Sequence, residues 1–165
     1  MDCNPTPEPE HKWLMQLVGE WDFHSECIMP DGQKATSTGR EIVRAVGDLW
    51  VIAELVGTMP GGAGGSGQMT GIMTIGFDPR VRTFVGSWVG SPITHMFIYS
   101  GTRDDSGKVL TLNCTGPGFT DPSKTAQFRD IVTIESPDER RLTSRFQDDD
   151  AHWHTMMEAT FRRLK

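Results

Sequence analysis

The chain has 165 residues, 36% of them hydrophobic, with 18 glycines, 10 prolines and a formal net charge of −6. That length suits one domain with a continuous core, and the turn-rich composition argues against both a helical bundle and a disordered chain. The acidic balance, with basic residues clustered no further than Arg140-Arg141 and Arg162-Arg163, speaks against nucleic-acid binding. Apolar runs such as 49–53 fall far short of the roughly 18–20 residues of a membrane span.

The first residues, Met1 to Pro5, carry neither a basic nor an apolar stretch, so nothing marks the chain for secretion and a cytoplasmic location is expected. Cys3, Cys27 and Cys114 are odd in number and widely spaced, which reads as reduced thiols rather than a zinc or dithiol site. Thr6 is placed to cap a helix with Pro7 in its first turn and Trp13, Leu14, Leu17 and Val18 on one face, ended by Gly19. From Glu20 the period becomes two, with Trp21, Phe23, Ser25 and Cys27 on one side of a half-buried strand.

Turn signals then recur at Pro30-Asp31-Gly32, Gly47-Asp48, Asp78-Pro79, Ser91-Pro92, Asp104 to Gly107 and Pro137-Asp138. The β-prone runs between them predict strands over 20–29, 33–46, 49–59, 68–77, 83–90, 93–103, 108–116, 125–136, 140–148 and 152–164. About ten strands without helical crossovers form an antiparallel meander, and closing it removes its exposed edges. The expected fold is all-β: a single barrel domain over 1–165, with 1–19 as tail and helix and 20–165 as the barrel. More than eight strands leave interior space for a cavity. The Gly-rich stretch 60–67 lacks the Lys-Ser/Thr ending of a phosphate loop and reads as a hairpin loop, with a lid over one barrel mouth as a further possibility.

Three pieces occur together in a telling order: His11-Lys12-Trp13-Leu14 leading to Gly19-Glu20-Trp21; Gly76-Phe77-Asp78-Pro79 followed by Trp88; and Arg129-Asp130 with a terminal Met157-Glu158-Ala159-Thr160-Phe161-Arg162. In this the chain resembles the DUF1579 family of uncharacterised bacterial proteins. The resemblance implies a calycin- or lipocalin-like barrel behind a short helix, with Gly19-x-Trp21 opening the first strand and Trp21 closing one end structurally. It implies no activity. A second likeness, to nitrobindin-type haem barrels, is weaker because Glu20-Trp21-Asp22-Phe23-His24 replaces their glycine-rich first strand, and no cofactor is expected.

His152, His154 and Glu158 share one strand face by parity, in a spacing similar to a cupin metal motif. The second motif has no room before the chain end, and Trp153, Met157, Ala159 and Phe161 make the better core face, so no metal is expected. Arg129 and Asp130 point to opposite faces, Phe128, Val132 and Ile134 lying with Asp130 and Gln127, Ile131 and Thr133 with Arg129. One of the two enters the barrel; Arg129, if buried, needs a partner such as Glu54, Glu41 or Glu158. Trp88 has small neighbours that leave room for a stacked group, His95 shares a face with Phe97 and Tyr99, and methionines 29, 69, 73, 96, 156 and 157 suit an adaptable apolar pocket.

The favoured reading is binding of a small, largely apolar molecule, with polar anchors among Trp88, Arg129, Glu54 and Glu158. The alternative is an enzyme in which an interior carboxylate acts as general base and Arg129 holds a small anionic substrate. A structural or dimerisation module, and haem or metal binding, rank lower. Apolar residues on both faces of 49–59 and 69–77 make a homodimer a further expectation.

Overall fold

The computed structural model describes residues 3–60 and 67–165. Its helix α1 spans Pro9–Met15, capped by Glu8 rather than Thr6. The reason is local: Pro9 disfavours the helical region for the residue before it, and Glu8 is extended at φ −86°, ψ 170°. The Glu8 amide donates to His11 Nδ1 at 2.9 Å, and His11 Nε2 lies 3.1 Å from the Phe77 carbonyl, which fixes a neutral ring with its proton on Nε2. The helix stops four residues before Gly19, which instead opens the first strand at φ +146°, a conformation that favours glycine.

Ten strands follow: β1 Gly19–Ile28, β2 Lys34–Val46, β3 Trp50–Thr58, β4 Gln68–Asp78, β5 Thr83–Gly90, β6 Phe97–Arg103, β7 Val109–Pro117, β8 Thr125–Ser136, β9 Glu139–Gln147 and β10 Trp153–Arg163. Each pairs antiparallel with its chain neighbour, and β10 returns to β1, with Phe161 opposite Phe23, to close the barrel. The sixth strand starts four residues later than its sequence pattern predicts, because Ser91 and Ile93 bond back to Thr70 and Gly90 in a turn. Among the described residues no helix is long and apolar enough to cross a membrane.

The meander sends alternate turns to opposite ends of the barrel, and α1 plugs the end where β1 begins. Trp13 Nε1 donates to the Gly107 carbonyl, and its ring meets Phe84 edge-on at 6.0 Å. Trp21, the tryptophan of the Gly-x-Trp opening, donates to Leu17 O at 2.9 Å and is sandwiched by two guanidiniums, Arg163 at 4.2 Å and Arg140 at 4.7 Å from its ring. Arg163 ties down the helix end through the Val18 and Gln16 carbonyls at 2.6 and 2.7 Å. Arg140 enters the interior, lies 4.1 Å from the Phe161 ring and forms an ion pair with Glu41; both members are 6% exposed.

Parity along the strands sorts the rest. Trp21, Phe23 and Ser25 are buried while Asp22, His24 and Glu26 are exposed, as the first strand's alternation predicts. Two glycine pairs facing each other across strands, Gly39 with Gly57 and Gly71 with Gly90, let large rings lie flat on the inner wall. A Cβ on Gly57 would meet the Phe23 ring at 2.6 Å, and one on Gly71 would meet Trp88 Nε1 at 3.2 Å. Outside, Ile42, Trp50, Val56, Ile72 and Ile98 are exposed.

Candidate ligand-binding site

Towards the end away from α1 the barrel holds a cavity of about 240 Å³. Its wall is mostly apolar: Phe23, Leu55, Met69, Met73, Trp88, Phe97, Phe128, Leu142, Met156, Met157, Ala159 and Phe161. Met73 and Leu142 form its floor, since they also border a void of about 30 Å³ around Glu41 and Arg140. Pro60 and Ile93, from the β3–β4 and β5–β6 connections, stand at its other end.

The polar part of the wall is small and concentrated. Asp130 on β8 accepts hydrogen bonds from the Tyr99 hydroxyl on β6 and the Ser144 hydroxyl on β9, one on each carboxylate oxygen. Register explains the meeting: Asp130 lies directly opposite Ser144, and Tyr99 reaches across β7. Burial pushes the Asp130 carboxyl above the ordinary aspartate range, against the two hydroxyl donors that pull it down. Burial, then the Asp130 charge, raises the Tyr99 phenol well above its usual value. The same two causes push the neighbouring Cys114 thiol up to about 12. A second polar patch, Ser25 opposite Ser37, lies on β1 and β2, with Ser37 Oγ donating to Thr58 O at 2.6 Å.

Of the residues singled out from sequence, Trp88 borders the cavity, as do Met69, Met73, Met156 and Met157. Arg129 does not. It lies on the outer face, its Nε donating to Asn113 Oδ1 at 3.0 Å and its guanidinium 4.0 Å from the Trp153 ring. The interior member of the pair is Asp130, the one that shares a face with buried Phe128 and Val132. Glu54 and Glu158 are exposed, and none of the three meets another. Glu41 is buried, but its partner is Arg140.

The histidine pattern is undone by a bulge. Between Thr155 and Met157 the β10–β9 register shifts by one residue, so His154 and Glu158 point to opposite faces and both Met156 and Met157 border the cavity. His154 stacks on Phe146 at 5.2 Å and bonds Asp148 at 2.5 Å, while Trp153 faces outward beneath Arg129. Among the described residues, Asp148, Asp150 and His152 bring ligand-capable atoms within 4.8 Å of one another at the β9–β10 turn. None of the five histidines borders the cavity. The Gly-rich residues 61–66, and with them the lid expectation, lie outside the described residues.

A closed ten-stranded meander, plugged by a helix at one end and hollow towards the other, defines a calycin-like barrel. Within that class the chain belongs to the DUF1579 family, proteins of unknown function, whose model matches residues 6–163. No curated protein matches it. Among solved structures it is similar to Rv2717c of M. tuberculosis, at 13% identity over 97% of this chain and 100% of that one, with a TM-score of 0.66. It is also similar to the S-type phycobiliprotein lyase CPES of Guillardia theta, at 13% identity over 96% and 99%, with a TM-score of 0.65. A third likeness is to EF1p2_mFAP2b bound to DFHBI, at 14% identity over 94% and 99%, with a TM-score of 0.50. At these identities the likeness is one of fold.

Proposed function

We propose that this barrel binds a small, largely apolar molecule in its cavity, and that binding rather than catalysis is its role. The observation that carries this reading is an apolar cavity of about 240 Å³ with one hydrogen-bonded carboxyl set in its wall. Small-molecule sites have this make-up, apolar walls with few convergent polar groups, at volumes of roughly 300–1,000 Å³. A dry engineered cavity of about 150 Å³ takes benzene, so this one suits a single substituted ring or a small bicycle. Trp88 and Asp130 are the contacts we assign. The likeness in fold to a barrel bound to DFHBI and to a phycobiliprotein lyase is in keeping with small-molecule use of such barrels.

The enzymatic alternative, an anionic substrate held by Arg129 beside an interior carboxylate, loses its cation: the cavity wall among the described residues carries no Lys, Arg or His. The test of binding is native mass spectrometry of freshly purified protein, together with ligand-observed NMR using indole. A co-purifying small mass, or saturation transfer to indole that is lost in the cavity-filling variant Ala159→Phe, is expected. Neither signal in the folded protein would overturn the reading.

The exposed outer face, with Ile42 and Ile72 flanking Glu54 in register and Arg44 one residue pair away, pairs apolar surface with unlike charges. A second copy of the chain, related by a two-fold axis, suits that face, each Arg44 meeting the other copy's Glu54. Light scattering should then give a dimer that Ile72→Lys converts to monomer.

A further inference from the structure

The cavity's charge narrows the class of ligand, an inference that rests on the binding reading above. Asp130 is the only acidic residue in the wall, and no basic residue faces it there among the described residues. Both groups that satisfy it, Tyr99 and Ser144, are neutral hydroxyls. A carboxylate offers about four lone-pair directions, and these two donors occupy two, leaving acceptor capacity on a residue that lines the cavity. Aromatic rings share the wall with it: Trp88 and Phe97 with centroids 6.0 Å apart, Phe97 and Phe128 at 5.6 Å, and Phe23 and Phe161 at 5.5 Å. Met69, Met73, Met156 and Met157 also line the wall.

We propose that the cavity selects a small organic cation, a protonated amine on an aromatic or alkyl body, with its ammonium on Asp130 and its body among Trp88, Phe97 and Phe128. An anion entering this space would meet an unbalanced carboxylate in a poorly solvated wall, with no donor cation to offset it. A neutral hydroxyl could bond Asp130 but would leave its charge uncompensated. An ammonium does both, and ring faces attract it further through their quadrupoles. Burial raises the Asp130 carboxyl, and a cation in contact with it would draw it back towards its ordinary range.

The experiment uses three probes of nearly one shape and different charge: 2-phenylethylamine, 2-phenylethanol and phenylacetate, titrated into the full-length protein at pH 7 by calorimetry. The amine is expected to bind at least about tenfold more tightly than the alcohol, with phenylacetate weakest, the order that a desolvated charge contact dictates. In Asp130→Asn the preference of amine over alcohol should disappear while the alcohol still binds. Equal binding of amine and alcohol to the wild type, an amine preference that survives in Asp130→Asn, or binding of indole but none of the three probes, would each overturn the cation inference and leave the cavity reading standing. Failure of indole as well, with no co-purifying small mass, would overturn both. The wild-type order needs no variant, so a poorly folding Asp130→Asn leaves the test decisive.

Discussion

The two ends of the barrel treat buried charge in opposite ways. At the plugged end Arg140 meets Glu41, stacks on Phe161 and Trp21, and lies under the helix. Arg163 beside it is consumed by backbone carbonyls at the end of α1. Towards the other end Asp130 has only two hydroxyl donors and a cavity in front of it. A charge matched by a charge belongs to the architecture; a charge matched by neutral donors beside empty space is poised for something that arrives. The strands continue from one end to the other, so the difference lies in which inward positions carry bulk and countercharge.

Removing one partner at the plugged end should have the largest effect. Glu41→Ala strands the Arg140 guanidinium in the core, and loss of one member of a buried pair costs about 3–5 kcal/mol. Urea unfolding followed by tryptophan fluorescence should show that fall as a lower midpoint with an unchanged slope. The double variant Glu41→Leu with Arg140→Met should recover most of it, because a buried pair replaced as a unit by apolar groups is often neutral. If Glu41→Ala is silent, the charge balance of the plugged end is not what holds it.

The matching change in the cavity should do less, and its sign should depend on pH. The folded-state carboxyl of Asp130 is raised, so the native protein holds this proton more tightly than the unfolded chain does. Stability from this group is therefore fully present below the ordinary aspartate range and is lost as pH rises through the raised folded value. Asp130→Asn cannot lose it. Measured from pH 3.5 to 8, the variant should gain on the wild type as pH rises, then hold a constant lead. Asp78, Asp104, Asp121 and Asp148 are lowered by their hydrogen-bond donors and pull the other way in both proteins, so the difference between the two isolates Asp130. A lead that shrinks with rising pH would reverse the account of this carboxyl.

The fold was far more legible in the sequence than this carboxyl was. Period-two alternation and turn residues locate the strands to within a few positions, because turn chemistry and the buried face are local properties. The Arg129-Asp130 pair carried its own answer: Phe128 and Val132 share the Asp130 face, and apolar parity outranks the expectation that a cation anchors a ligand. Tyr99, the one tyrosine, enters the sequence only as a face neighbour of His95 and Phe97, and its role appears only when Asp130 comes within reach across β7. Ser144 gives no local signal. The bulge at Met156 has none either, and it alone separates His154 from Glu158 and brings a second methionine to the cavity. Register irregularities are set by the neighbouring strand, which parity along one strand does not contain.

The smallest effect, and the one most sensitive to the state of the cavity, is thiol reactivity. Cys3 is exposed, Cys27 half-buried on β1, and Cys114 buried on β7; the last two border the cavity. Burial raises the Cys27 thiol, and burial followed by the Asp130 charge raises Cys114 to about 12, so roughly 10⁻⁴ of Cys114 is thiolate at pH 8. Iodoacetamide followed by intact-mass and peptide analysis should therefore modify Cys3 first, Cys27 slowly, and Cys114 only as the protein unfolds. Asp130→Asn removes the charge that opposes the Cys114 thiolate and should speed that last step modestly without changing the order. Saturating 2-phenylethylamine should slow Cys27 and leave Cys3 alone, because one faces the cavity and the other precedes the helix. Cys114 reacting as fast as Cys3 in the native protein would mean that the hollow part of the barrel opens to solvent, and the contrast between a fixed end and a receptive one would then be a contrast in motion as well as in charge.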